Sequence, residues 1–192
     1  MSFVQAWGRS VPIHSPVRRK RVYTASVKRI TAKPAPRVLK VRVKIYDLMI
    51  ENIAKYNSLP VELLISLIDY GSGFDPNKVS SSKRHGLMQI SIEQAQAWAH
   101  ANYYSLTSVS QLLDPALNLR IGAWALAQAR NHWSSYGANA YSLALCEYTL
   151  NRSVMMNHIA YNKTTNKLVI KNNQLYIFVN SIIADYRRLK SK

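Results

Sequence analysis

The pattern of apolar and polar positions separates an irregular first part of the chain from a longer part with helical spacing. Up to Lys44, no apolar residue recurs every three or four positions, and prolines at four places interrupt any helix. From residue 45 onward the apolar side chains fall on one face of a helix: Ile45, Leu48, Met49, Ile53 and Tyr56. We therefore expect an extended arm over residues 1–44 and a helical domain over residues 45–192.

Start and stop signals predict two helices in the next part of the chain. Pro60 opens a helix whose apolar residues continue to a stop near Gly71, and a loop follows as far as His85. Ser91, with Gln94 three residues later, has the spacing of a capping box, in which each side chain hydrogen-bonds the backbone of the other residue. The second of these helices should therefore begin directly after Ser91.

Three more helices and a hairpin complete the expected architecture. Asp114 followed by Pro115 is a usual start of a helix. Another helix is expected over residues 139–157, and the last one carries basic residues up to Lys190, which suit a helix C-terminus. Between them, the polar segment 163–174 has the pattern of a small hairpin. The fold class is therefore mainly α.

The positive charge of the chain is concentrated in the arm. Residues 1–46 contain twelve of the 26 Lys and Arg residues and none of the nine Asp and Glu residues, and the net charge is +17. The densest basic groups suit phosphates or an acidic protein surface: Arg18, Arg19, Lys20, Arg21, Lys28 and Arg29. The alternating residues 38–44 also fit a short strand added to the sheet of a partner. We expect the arm to bind nucleic acid or other protein subunits; the alternative is that it packs along its own domain.

Composition excludes several classes of protein. Cys146 is the only cysteine, so no disulfide can form within the chain, and its apolar helix pattern favours a buried residue over a nucleophile. The first 40 residues contain no apolar stretch of the kind that a secretory signal needs, and no run is long enough to span a bilayer. The five histidines are scattered, and no metal-ligand cluster or glycine-rich phosphate loop is found. We therefore expect no metal, no cofactor and no membrane span.

The most specific motif is the segment LISLIDYGSGFDPNKVSSSKRHGLMQI, residues 64–90. Its Ser72, Phe74, Pro76 and Gly86–Gln89 resemble the lytic transglycosylases (SLT), a goose-type-lysozyme-like family that cleaves the glycan strand of peptidoglycan. Three later segments resemble this family in the same order: LLDPALNLRIGAWALAQA, ALCEYTLNRSV and FVNSIIADY. The resemblance covers roughly residues 45–188 and implies a lysozyme-like helical domain.

The resemblance also implies where a saccharide groove would lie. The residues at the groove positions of the family are Ser72, Met88, Gln89, Tyr148 and Thr149. The family has its catalytic glutamate directly before the serine, but that position here is Gly71. Lys83 and Arg84 replace the usual small residues ahead of the Gly-Leu-Met-Gln segment. This pattern indicates a scaffold that is kept and a catalytic site that is lost.

The missing glutamate carries the chemistry of the family: it protonates the glycosidic oxygen and then takes the proton of the muramoyl C6 hydroxyl, which closes a 1,6-anhydro ring. Glycine offers no group for this acid-base work. Asp69 should point away from Gly71 on its helix. Asp75 suits a turn, and His85 suits the surface of a loop. Glu147 is a weak substitute, preferred to the others because its helix flanks the groove in the family.

We therefore expect an inactive lytic-transglycosylase-like domain that serves as a structural or assembly subunit of a larger particle and is anchored by its basic arm. A phage virion or a nucleoprotein assembly would be such a particle, which places the protein in a virion or an intracellular assembly. Two alternatives stay open. One is a peptidoglycan hydrolase of a phage tail or envelope machine that uses another acid, and the other is a module that binds the glycan without cutting it.

Overall fold

The computed structural model describes residues 36–162 and 167–191 of the chain. This part is built from helices and one antiparallel hairpin, with short 3₁₀ segments at Val109–Leu113 and Ser134–Asn139. The elements in chain order are α1 (Pro36–Tyr56), α2 (Val61–Gly71), α3 (Ile92–Ala101), α4 (Pro115–His132), α5 (Ala140–Leu150), α6 (Arg152–Met155), β1 (Ile159–Asn162), β2 (Lys167–Ile170) and α7 (Asn173–Lys190). The mainly helical fold predicted from the sequence is confirmed.

The helix starts that the sequence predicts are present and are stabilised by their caps. Ser91 and Gln94 form the expected capping box at the start of α3. The Asp114 carboxylate accepts a hydrogen bond of 2.7 Å from the backbone N–H of Leu117, at the start of α4. Each cap satisfies backbone N–H groups that have no partner within the helix. Local signals therefore fix where α3 and α4 begin.

The core lies around α5, which packs against α4 on one side and against α7 on another. Four consecutive residues, Leu143 to Cys146, are at most 2% exposed, so α5 is surrounded by protein on every side of this turn. α2 packs between α1 and α7, and α1 and α3 also contact α4. Among the helices of the described segments, none is long and apolar enough to cross a membrane.

The structure corrects the expected arm at its C-terminal end. Residues 36–44, expected to be extended with a strand over 38–44, form the first part of α1. Pro36 suits the first position of a helix, because its ring fixes φ and its missing N–H is not needed there. The remaining arm residues lie outside the described segments, and with them the predicted contact residues Arg18, Arg19, Lys20, Arg21, Lys28 and Arg29.

Two further boundaries differ from the sequence prediction. The single helix expected over residues 139–157 is interrupted at Asn151, whose φ of +61° ends α5 and whose side chain caps α6. Asparagine adopts this left-handed conformation more readily than most residues. The hairpin begins at residue 159 instead of 163, with Ile159 of β1 opposite Ile170 of β2. The short α6 and the hairpin thus occupy the end of the predicted helix.

A buried polar side chain holds an irregular segment of backbone onto α4. Asn118 is completely buried, and its Oδ1 accepts a hydrogen bond of 2.8 Å from the backbone N–H of Met88. Its Nδ2 donates to the carbonyls of His85 (2.9 Å) and Leu112 (2.7 Å). Gly86 has a φ of +73°, and a Cβ there would collide with the Asn118 amide. The hydrogen bonds of Asn118 therefore require a glycine at position 86.

Replacing Asn118 by alanine should lower the free energy of unfolding by about 3 kcal/mol, because the N–H of Met88 and the carbonyl of Leu112 lose their partner and the carbonyl of His85 keeps only the N–H of Ile90. Urea denaturation followed by circular dichroism measures this change. Asn131→Ala is a matched control, since Asn131 lies on the same helix and is exposed. Equal stability of the two variants would contradict the role assigned to Asn118.

Candidate functional site

The end of α2 carries the position at which the sequence resemblance implies a catalytic glutamate. Gly71 is the last residue of α2, and Ser72 follows as its C-cap. The Ser72 hydroxyl donates to the carbonyl of Ile68 (3.1 Å) and accepts from the backbone N–H of Phe74 (3.1 Å). Both hydrogen bonds shape the turn after α2, so the serine side chain serves the local backbone.

The backbone at Gly71 does not require a glycine. Its φ is not in the left-handed region, in contrast to Gly73 and Gly86. A Cβ at Gly71 would lie 3.5 Å from Cγ of Gln89, which is an ordinary van der Waals distance. A larger side chain can therefore start from this position, and its absence follows from the residue type and not from the fold.

Gln89 lies beside Gly71 and is held by the loop that precedes it. Its φ is +53° and it is 9% exposed. Its Nε2 donates to the carbonyls of Gly86 (2.8 Å) and Lys78 (3.0 Å). The Lys78 ammonium in turn donates to the carbonyl of Gly71 (2.7 Å), at the negative end of α2. The structure thus brings Gly71 and Gln89 together, with the Gln89 amide directed at backbone carbonyls.

Met88 and Tyr148 are members of the core. Met88 is 1% exposed and packs so closely against Gly122 that a Cβ there would lie 2.5 Å from its sulfur. The Tyr148 hydroxyl donates to the carbonyl of Met88 (2.7 Å). Burial raises the pKa of Tyr148 to about 12, against the opposing effect of the Arg84 guanidinium. Both side chains are therefore occupied by packing, and Tyr148 remains protonated at neutral pH.

Arg84 makes the most extensive polar contacts near these residues. Its Nε donates to the carbonyl of Gln89 (2.5 Å), and its two terminal nitrogens donate to the carbonyls of Thr149 (3.1 Å) and Tyr148 (2.9 Å). It also donates to Oε1 of Gln94 (3.0 Å), and its guanidinium lies 5.5 Å from the centre of the Tyr148 ring. Burial lowers the pKa of Arg84 from its ordinary value. Arginine nevertheless stays protonated in proteins, so a full positive charge is held here.

The two basic residues of this loop, considered together in the sequence, have different environments. Lys83 is exposed with a φ of +56°, whereas Arg84 is turned inward. His85, expected at a loop surface, is 8% exposed and pairs its backbone with Ile90 in both directions (2.9 Å). The inward position of Arg84 was not predicted from the sequence, because its partners on α5 are 64 and 65 residues away.

Glu147, the substitute acid suggested by the sequence, is engaged on both oxygens. One oxygen accepts a hydrogen bond from the indole N–H of Trp133 (2.7 Å) and the other accepts from Arg152 (2.9 Å). Trp133 is 4% exposed, so this tryptophan belongs to the core and needs a partner for its N–H. The contact of Glu147 with Trp133 was not foreseen from the sequence.

All nine carboxylates of the chain lie in the described segments. The Asp75 side chain accepts from the backbone N–H of Asn77 (3.0 Å), as expected of a turn residue. Asp185 pairs with Arg188. Hydrogen bonds, first that with the Ser91 side chain, lower the pKa of Glu93 at the start of α3. The others are Asp114, which caps α4, Asp47 and Glu51 on α1, Glu62 in the first turn of α2, and the buried Asp69.

Metal ligation and thiol chemistry find no support in the described segments. No group of three or more His, Cys, Asp or Glu residues there could hold a metal ion. Cys146 is fully buried, and burial raises the pKa of its thiol to about 12. A buried, protonated thiol is a poor nucleophile.

A family model matches most of this chain, and two solved structures share its fold. The family model described as the transglycosylase SLT domain matches residues 47–176. An inactive mutant of the lytic transglycosylase Slt from Pseudomonas aeruginosa, with glutamine in place of one glutamate, aligns over 73% of this chain with 20% identity and a TM-score of 0.62. The 70-kDa soluble lytic transglycosylase in complex with bulgecin A aligns over 80% with 18% identity and a TM-score of 0.61. This chain spans only 23% and 26% of those two chains. Comparison with curated proteins finds no match.

Substituting Gly71 by alanine should raise the free energy of unfolding by about 0.5 to 1 kcal/mol, because alanine favours the helix and a Cβ fits. Gly86→Ala is the matched control and should lower it, since its positive φ and the neighbouring Asn118 leave no room. Denaturant titrations measure both. If Gly71→Ala destabilises as much as Gly86→Ala, the fold itself demands the glycine.

Proposed function

Because the chain belongs to the transglycosylase SLT domain family, we propose that it is a non-catalytic member that keeps the scaffold without the acid-base group. The family reaction cleaves a glycosidic bond of peptidoglycan, and it needs a carboxyl group within about 2.6 to 3.2 Å of the scissile oxygen. The observation that carries the proposal is Gly71 at the end of α2, where the resemblance puts that carboxyl group.

The loss of one carboxyl group has an effect on the reaction rate that is large enough to decide whether the domain is active. General acid-base catalysis contributes roughly 10² to 10⁴ to a rate, and the positively charged transition state also loses a nearby negative charge. The Pseudomonas aeruginosa neighbour is described as inactive with one glutamate changed to glutamine. A glycine is a more complete loss than glutamine, because it removes the hydrogen-bonding atoms as well.

The other carboxylates support the same conclusion through their contacts. Glu147 would have to leave both Trp133 and Arg152 to act as an acid, which would strand a buried indole N–H. Asp75 shapes its turn, and Asp114 caps a helix. The carboxylates of Glu147, Asp75 and Asp114 are therefore all engaged in contacts that stabilise the fold.

The unaltered protein should release no anhydromuropeptides from purified peptidoglycan sacculi above the level of a protein-free blank. Mass spectrometry of the soluble products measures this, with an active lytic transglycosylase digested in parallel. Release of such products would contradict the proposal and favour a hydrolase that uses another acid. Glu147→Gln would then show whether Glu147 is that acid, and Asp75→Asn serves as the matched control.

We propose further that the domain is a structural or assembly subunit of a particle, such as a phage virion, to which its basic N-terminal residues bind. The support is the charge distribution: residues 1–46 carry twelve basic and no acidic residues. A segment of this kind binds phosphates through charge, with counterion release as the driving force. A domain that does not catalyse a reaction can serve as a structural subunit that the basic N-terminal segment anchors to the particle.

Nucleic-acid binding through the arm should weaken steeply with salt and depend on the cluster Arg18, Arg19, Lys20 and Arg21. Changing all four to glutamine should reduce the slope of log affinity against log salt by about 3 to 4, because each lost phosphate contact contributes about 0.9. Fluorescence anisotropy with duplex DNA at several salt concentrations measures this slope. Arg187→Gln with Arg188→Gln, on the exposed end of α7, is the control and should leave it unchanged. An unchanged slope in the fourfold variant would exclude the arm as the DNA contact.

A further inference from the structure

Arg84 joins two segments between which the family likeness would place a saccharide groove, and the space between these two segments is called the gap below. One side is the segment that ends in Gln89, and the other is the C-terminal end of α5 with Tyr148 and Thr149. The guanidinium donates to main-chain carbonyls on both sides. A saccharide in this gap would need the same space and would compete for the same carbonyls.

The bridge uses features that are particular to arginine. Four hydrogen bonds leave all three nitrogens of the planar guanidinium, and its Cζ lies over the Tyr148 ring. A lysine ammonium has three donors on one atom and could not reach the same set of acceptors. All four acceptors are neutral, so the arginine is held by hydrogen bonds and the aromatic ring, and not by an ion pair.

A second side chain strengthens the same closure. Gln94, at the start of α3, accepts from Arg84 and donates to the carbonyl of Tyr148 (3.0 Å). The carbonyl of Tyr148 therefore receives hydrogen bonds from two side chains on the opposite side of the gap. Such a network is rigid, because each donor is fixed by a second contact of its own.

We propose that Arg84 is a built-in occupant that closes the saccharide groove, so that the domain does not bind peptidoglycan glycan strands. This inference rests on the proposed function, because a working transglycosylase must admit the strand. It goes beyond the loss of the acid: restoring a carboxylate at position 71 alone would leave the groove closed. It also excludes the glycan-binding module as a role for the unaltered domain.

The test is a calorimetric titration with peptide-free glycan strands of alternating N-acetylglucosamine and N-acetylmuramic acid. The unaltered protein should show no saturable binding. Arg84→Ala should gain saturable binding, because the space of the guanidinium and the carbonyls of Gln89, Tyr148 and Thr149 become available. Arg84→Met keeps the aliphatic stem beside Tyr148 and decides the matter if the alanine variant does not fold, as checked by near-ultraviolet circular dichroism.

Arg152→Ala is the matched control. Arg152 also lies next to the end of α5, but it contacts Glu147 and does not bridge to the Gln89 segment. Arg152→Ala should bind the glycan strands no better than the unaltered protein does. If substitution near the end of α5 merely loosened that helix, binding would increase in Arg152→Ala as well as in Arg84→Ala.

Two results would overturn the inference: saturable binding by the unaltered protein, or folded Arg84 variants that bind no better than it does. The first result without anhydromuropeptide release would leave the non-catalytic proposal standing. Release of those products by the unaltered protein would instead overturn the proposed function itself.

Discussion

The structure depends on how an irregular, buried stretch of backbone around Met88 finds its hydrogen-bond partners. Two residues of the stretch, Gly86 and Gln89, have positive φ, so it cannot pair as a regular helix or strand. Buried backbone groups must nevertheless be paired. Asn118 supplies a partner for the N–H of Met88, Tyr148 supplies one for its carbonyl, and Arg84 supplies one for the carbonyl of Gln89. Side chains of α4, α5 and the preceding loop thus hold the stretch in place.

These hydrogen bonds account for residues that match the transglycosylase pattern in a domain with glycine at position 71. Tyr148 and Gln89 stand at groove positions of the family, yet their polar atoms bind main-chain carbonyls of the same domain. Ser72 likewise completes the turn after α2. None of these contacts needs a substrate. Gly71 is the exception, because no contact of the fold requires a glycine there.

Local signals in the sequence predicted what local forces decide. The caps at Ser91 and Asp114 fixed two helix starts, and the order of four motifs identified the family. Contacts between distant residues could not be read in this way: the alternating pattern of residues 38–44 did not reveal the start of α1, and nothing near Arg84 pointed to carbonyls 64 and 65 residues later. The pairing of Glu147 with Trp133, likewise, depends on how two helices meet. The transglycosylase-like motif predicted which residues lie close together. Their hydrogen-bond partners depend on tertiary contacts that the motif does not encode.

We propose that neither Glu147 nor another carboxylate of this chain replaces the missing glutamate on a glycan strand. A crystal structure of the unaltered protein grown with a saturating concentration of peptidoglycan tetrasaccharide would test this proposal. We expect the Arg84 guanidinium still to bridge to the carbonyls of Tyr148 and Thr149, with no sugar between α5 and the Gln89 segment. A bound saccharide with a glycosidic oxygen within about 3.2 Å of any carboxylate of the chain would contradict it.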